Sequence, residues 1–526
     1  MDRSCATNGI LLIMKFAIIL IAFSLAAIVA DAQPVPQSDK LTERYFPDAD
    51  SIKNVTPALQ KKRGFTDYDE LIVFLERLQK TKPELINLSY IGESQKGYQI
   101  PLIHLVNKNA AGDKVKVWLQ AGLHGNEPGS TESLLYLLHE LVNNPELTYL
   151  LDKLEIAAVP MANIDGYLKQ DRYAANGLDL NRDQTKLMAP ESVLLKKSFS
   201  NYNAEVALDF HEYNPFRKDF SKLSSFGVMS LYDVMFLTSG NLNVSQKTRT
   251  LTDSLFKANA GKILDTHKIT HHDYVSTTKV KGEIHFNQGS NSARSSATSY
   301  ALSNAISSLI EVRGVNLYRT SFKRRIASAY LVGLSYLQTA YENVTLVKQT
   351  VNDAQNERAD FNVITQKTVY ENDLQFIDID TKEIVKLKVT IRDASLMIPK
   401  LTRERPSAYI INLEQLELIE KIKTLGIQVV SLEKETRYNV EAYQVIVFER
   451  DSMKYEKMNM QAVETVLEKK SISFPSGTFV IYTNQKNAPL LAEVLEPEAP
   501  NSFVSFGVLE TSLNKELPIY RLPKTN

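Results

Sequence analysis

Apolar residues recur along this chain with two periods, and each change of period marks a new element. In TDYDELIVFLERLQKTKP, from residue 66, they recur at helical spacing, with aspartate in the first turn and proline just past the end; this predicts a helix. LINLSYIG and QIPLIHLV, from residues 85 and 99, predict strands, and KVKVWLQAGL from residue 114 predicts a stronger one. STESLLYLLHELVNN predicts a helix, KLEIAAVPMAN and AEVALDFHEY two more strands, and ISSLIEVRG a last one. FKRRIASAYLVGLSYLQTAYENV, from residue 322, predicts a long closing helix, with LVKQTVNDAQNERADF as a connector. This alternation predicts an α/β fold: a mixed twisted sheet flanked by helices.

The character changes at about residue 361. VYENDLQFIDID and EIVKLKVTIRDAS predict strands; AYIIN, LEQLELIEKIKTLG and IQVVSL predict strand, helix, strand; GTFVIYTNQ and NAPLLAEVLEPEA predict strand and helix. These segments predict a smaller C-terminal α+β domain. The expected division is 1–32 as a leader, 33–345 as the larger α/β domain and 346–526 as the accessory domain.

The leader is a different material. MKFAIILIAFSLAAIVADAQ carries one lysine, a long apolar stretch and Ala30-Asp31-Ala32, the layout of a secretory signal cleaved after Ala32. Met14, followed by Lys15, is an alternative start with the same signal. No later run is long and apolar enough to span a bilayer, so the expectation is a secreted or periplasmic protein without stable membrane insertion after cleavage. The single cysteine, Cys5, lies inside the leader, which excludes disulfides and thiol catalysis in the mature chain. Lys+Arg and Asp+Glu both number 61. That balance gives no electrostatic footprint for nucleic acid. Between Ala32 and the first helix there is no cationic pro-segment, so no zymogen step is expected.

AGLHGNEPGS, residues 121–130, puts His124 and Glu127 three apart in a glycine-bounded turn from strand to helix. Alone, an H-x-x-E is weak, and a loop histidine beside a surface glutamate is the bland reading. Other predicted strand ends change the weighing. DFHEY places His211 at one, SLIEVRG places Glu311 at another, and GLDLNRD supplies Asp179, Asn181 and Arg182 in a loop. Such convergence is what a site requires. Two histidines and a carboxylate form a catalytic zinc set that leaves a position for water. Glu311 is then the candidate general base; its competing reading is a salt bridge to Arg313.

In order, HGNE, NIDGY, DRYAANGLDLNRD, DFHEY and IEVRG closely resemble the carboxypeptidase A/B-type zinc metallocarboxypeptidases, over roughly residues 65–340. The resemblance implies one Zn2+ held by His124, Glu127 and His211. It also implies Glu311 as base and later acid, and Arg172 polarising the scissile carbonyl. Asn181 and Arg182 would hold the substrate's terminal carboxylate, and Asp179 would fix the tautomer of His124. Tyr300 is the candidate substrate-capping tyrosine, with Tyr274 a weaker choice. Residues 267–294 would line the specificity pocket; their His271-His272 pair reads as exposed loop histidines rather than a second metal site. Glu212 departs from the family, which commonly has a small residue after the second zinc histidine.

The expected activity is removal of C-terminal residues from a peptide or protein with a free C-terminus, by a monomeric enzyme. The alternatives are a peptidoglycan-stem peptidase or amidase, or a deacylase, on the same fold, and a catalytically silent peptide-binding relative. Serine hydrolase and H-E-x-x-H zincin chemistry lack their motifs.

Overall fold

A computed structural model describes residues 37–524. The expected leader therefore lies outside the described residues. An eight-stranded mixed sheet forms the centre, in the order β1 (Ile86–Glu93), β2 (Gln99–Val106), β4 (Leu154–Val159), β3 (Val115–Ala121), β5 (Val206–Tyr213), β11 (Ile306–Arg313), β7 (Val234–Thr238) and β8 (His271–Asp273). β4, β3, β5 and β11 run parallel, while β1, β2 and β7 introduce antiparallel pairs. The parallel strands are buried on both faces, as β5 shows at all eight positions, because helices cover both sides.

Side-chain alternation assigns the helices to faces. Phe210 points to one face, where Gly333 of helix Phe322–Glu342 and Leu137 of helix Pro128–Asn143 approach each other and its ring. Trp118 points to the other, and meets Phe199 of helix Pro190–Tyr202 edge-on, with ring centroids 5.8 Å apart. The mixed α/β fold and all seven strands and helices predicted between residues 85 and 163, 204 and 213, and 306 and 314 are present.

Two further sheets pack around this centre. One has the order β6 (Val228–Ser230), β12 (Phe361–Asp378), β13 (Ile384–Arg403), β10 (Glu283–Gln288) and β9 (Val275–Val280). The long β12–β13 hairpin thus joins strands from residues 228–288 in one ladder. The other is six-stranded: β15 (Val430–Ser431), β18 (Phe479–Tyr482), β14 (Ala408–Ile411), β19 (Glu516–Leu522), β16 (Thr436–Arg450) and β17 (Gln461–Phe474). Helices Leu416–Thr424 and Pro489–Val494 contribute to its apolar core. IQVVSL forms only the two residues of β15, and the β16–β17 hairpin adds a ladder the sequence pattern did not predict. Among the described residues no helix is long and apolar enough to cross a membrane.

Candidate active site

Three carboxyl-terminal strand ends of the central sheet deliver the chemistry. β3 ends in the turn that carries His124 and Glu127, and Glu127 sits at the N-cap of helix Pro128–Asn143. β5 carries His211, and β11 sets Glu311 directly beside it in parallel register. His124, Glu127 and His211 are buried, and one ligand atom from each lies within 4.8 Å of the others.

The pairing of each imidazole explains what the cluster can hold. His124 Nε2 lies 3.1 Å from Asp179 Oδ1, and His211 Nε2 lies 3.0 Å from Asp209 Oδ2. Each Nε2–H donates to its carboxylate, which leaves both Nδ1 lone pairs aimed inward. The two Nδ1 atoms are 3.1 Å apart, at 2.7 and 2.8 Å from the two oxygens of Glu127. Two lone pairs and a carboxylate converging on one point form a donor set for a divalent cation of the zinc type. Asp209 had no signal of its own in the sequence, but its i, i+2 relation to His211 on a strand puts both on one face.

Arg172 donates from Nε and Nη2 to Asp179 Oδ2 at 3.0 and 2.8 Å, and its Nη1 faces Glu127 at 3.8 Å. Burial works against the Asp179 charge, yet His124, Arg172 and Arg182 hold its carboxyl well below the ordinary range. Asn181 accepts from the backbone N–H of Ser296 through Oδ1, which fixes its side chain. Among the described residues, Arg182 donates only to the Asn181 carbonyl. Glu311 is half-buried, and its Oε2, which is buried, has no hydrogen-bond partner. Burial, then the Glu127 charge, raise its carboxyl above the usual range. Arg313 is not its partner: that guanidinium donates to Gln37 and to the Ser230 carbonyl.

Glu212, the departure from the resembled pattern, points at Arg325 of helix Phe322–Glu342 in a two-armed pair of 2.7 and 2.9 Å. It also accepts from the Gly129 N–H, and its own N–H donates to Glu127 Oε2 at 3.0 Å. Room for this carboxylate comes from two glycines: a Cβ at Gly314 or Gly129 would lie 1.9 or 2.3 Å from Oε1. Glu212 thus braces a member of the cluster and adds no free charge to it.

His124, Glu127, Arg172, Asn181, Arg182 and Glu311 share the rim of one cavity of ≈ 830 Å³. Tyr300 does not. The structure corrects its expected position: it is 1% exposed, stacks on Phe199 at 4.1 Å between centroids, and donates to Gln120. Its helix, Ser296–Leu302, turns that residue toward the sheet rather than the cleft. Tyr274 lies on the cavity wall instead, its hydroxyl accepting from Arg217 at 3.1 Å. His271 and His272 lie in β8, half-buried, with His272 stacked on Tyr232. Sequence reasoning missed Asp209, Arg217 and Arg294, all of which face or support the cavity.

Residues 71–318 match the family model described as zinc carboxypeptidase. Carboxypeptidase 2 of Trichophyton rubrum is 28% identical over 519 residues, covering 94% of this chain and 93% of that protein. Human carboxypeptidase D is 31% identical over 182 residues, covering 30% of this chain and 13% of that protein. Among solved structures, a metallo-carboxypeptidase from Burkholderia cenocepacia aligns with a TM-score of 0.41 at 16% identity, over 53% of this chain and 71% of that one. The matched stretch contains the whole converging cluster, and these similarities support a zinc metallocarboxypeptidase, a hydrolase.

Proposed function

We propose that this enzyme removes C-terminal residues from peptides with a free terminal carboxylate, acting as a monomer outside the cytoplasm, as its leader implies. His124, Glu127 and His211 would hold one zinc ion. When bound there, zinc acidifies water and polarises a carbonyl.

The chain's own residues divide the remaining work. Arg182 and the amide of Asn181 receive the terminal carboxylate, since a guanidinium fork meets a carboxylate with paired charge-assisted hydrogen bonds. Arg172, locked on Asp179 through two nitrogens, turns Nη1 toward the scissile carbonyl oxygen and steadies the charge that develops on it. Glu311 takes the proton of the attacking water and later gives it to the departing amine. Asp179 and Asp209 hold the imidazoles in the tautomer that presents Nδ1. Residues 33–345 carry this machinery, and 346–526 form an accessory domain that adds Lys367, Pro500 and Asn501 to the cavity wall.

The observation that carries the reading is Arg182: a guanidinium on the cavity wall, beside the convergent cluster, with a carbonyl as its only partner among the described residues. Zinc-loaded protein spanning residues 33–526 should release the last residue of peptides with free C-termini and leave amidated peptides intact. Arg182→Ala should lower kcat/KM on free-ended peptides by roughly 10²–10³-fold, the loss of an interaction with a charged group. Equal turnover of amidated ends would refute exopeptidase action.

A further inference from the structure

The cavity holds more cationic charge than a single terminal carboxylate can use. Arg172 is paired with Asp179, but Arg182, Arg217, Lys218, Arg294 and Lys367 line the same wall with no carboxylate within salt-bridge distance among the described residues. Opposite them, Glu212 is committed to Arg325 and Glu127 to the two histidines. Among the described residues, Glu311 is the only lining carboxylate left without such a partner.

Arg294 stands out among these cations. Its Nε is buried and has no hydrogen-bond partner. Burial works against its charge and lowers its pKa, and the nearby Arg182 lowers it further. The two nearest acids are otherwise engaged: Asp179 by Arg172 and His124, and Glu456 by the Asp179 backbone N–H at 3.0 Å. What holds Arg294 is an aromatic face. Tyr455, from the loop between β16 and β17, lies under the guanidinium, 4.8 Å from its centroid. A ring orients a guanidinium without consuming its donors. A half-buried, oriented fork whose buried Nε–H has no acceptor is costly unless an anion completes it.

Resting on the exopeptidase reading above, we propose that Arg294 receives a second carboxylate, the side chain of an acidic C-terminal residue, so that the enzyme prefers peptides ending in glutamate or aspartate. Arg182 and Asn181 take the terminal carboxylate, and Arg294, on the Tyr455 ring, takes the side-chain one. The accessory region thereby supplies part of the specificity pocket. An aliphatic or amide terminus leaves the Arg294 donors unpaired, and a basic one meets like charge.

The test uses hexapeptides that differ only in the last residue: Glu, Gln, Leu or Lys. Turnover is measured on the zinc-loaded enzyme, and equilibrium binding by calorimetry on the zinc-loaded Glu311→Gln variant, which lacks the base but keeps the pocket. The expected result is a preference for Glu over Gln of roughly tenfold or more in both readouts, since the two differ only in charge. Arg294→Met should abolish that preference while changing the Leu peptide by about threefold or less; Arg294→Lys should retain part of it. Equal binding of Glu and Gln overturns the proposal. So does an Arg294→Met variant that weakens all four peptides alike, for Arg294 would then be a second clamp on the terminal carboxylate. If no peptide is hydrolysed but the Glu preference persists in binding, the catalytic reading fails and the acidic pocket stands.

Discussion

Lys196 has no role in the chemistry, and its burial nevertheless governs how stability responds to pH. It is fully buried in helix Pro190–Tyr202, with Nζ 2.8 Å from Ser299 Oγ and 3.3 Å from Ser303 Oγ. No carboxylate pairs with it among the described residues, and burial followed by the Lys486 charge lowers it to about 7 from 10.5. Between those values only the unfolded chain holds the proton, so stability rises with pH across that window; below about 7 both states are charged and the penalty is constant. Lys196→Met should therefore stabilise the protein at pH 7 by about 1–3 kcal/mol. The gain should shrink as pH approaches 10, which denaturant midpoints at pH 7, 8.5 and 10 would check. Legibility at this scale divided sharply. His124, Glu127, His211 and Glu311 were readable because each sits in a short local pattern at a strand end. Tyr300 was misplaced because sequence proximity to Glu311 says nothing about which way a helix turns its ring. Arg294 was invisible for a related reason: an arginine in a serine-rich run looks solvated until the fold buries its Nε without a partner.

Helix Tyr68–Thr81 shows what one element encodes for itself. Asp67 accepts from the Glu70 N–H at 2.9 Å, and the Glu70 side chain accepts from the Asp67 N–H at 2.8 Å, a reciprocal capping box. Asp67→Ala should cost about 1 kcal/mol, read as a lower urea midpoint with unchanged slope. Both signals lie within four residues, so the helix was predictable. The β16–β17 hairpin is the opposite case. Its strands alternate weakly, and β17 in particular carries VETVLEKK with most positions exposed, so the sequence lacks the apolar contrast that announces a strand. What fixes the hairpin is the pairing itself, from Thr436↔Phe474 to Arg450↔Gln461, together with β19 on the other side of β16. Its connecting loop then delivers Tyr455 to Arg294 and Glu456 to the Asp179 backbone, 277 residues away in sequence for the latter pair.

Across the whole molecule, buried charge tends to tie distant segments together. Arg403 at the end of β13 donates to Glu496 and Glu498 at 2.8 and 2.6 Å, and Arg521 on β19 donates to Glu496 at 2.6 Å. All four groups are buried or nearly so. Arg403→Met removes one cation from a closed network and leaves carboxylate charge uncompensated, so it should cost about 3–5 kcal/mol, with Tm falling by several degrees in calorimetry. The Arg403 links span 93 and 95 residues and the Arg521 link 25, and no local pattern reports them. The sequence alone determined the central α/β sheet, because strand and helix periods are local and strong there. It also singled out the residues of the candidate metal cluster, because each sits in a short motif of its own. Only the tertiary structure decided which tyrosine faces the cavity, which carboxylates orient the imidazoles, how Glu212 is neutralised, and that a C-terminal loop backs Arg294. Those outcomes depend on contacts between segments far apart in the chain, and burial, not residue type, gives such groups their chemistry.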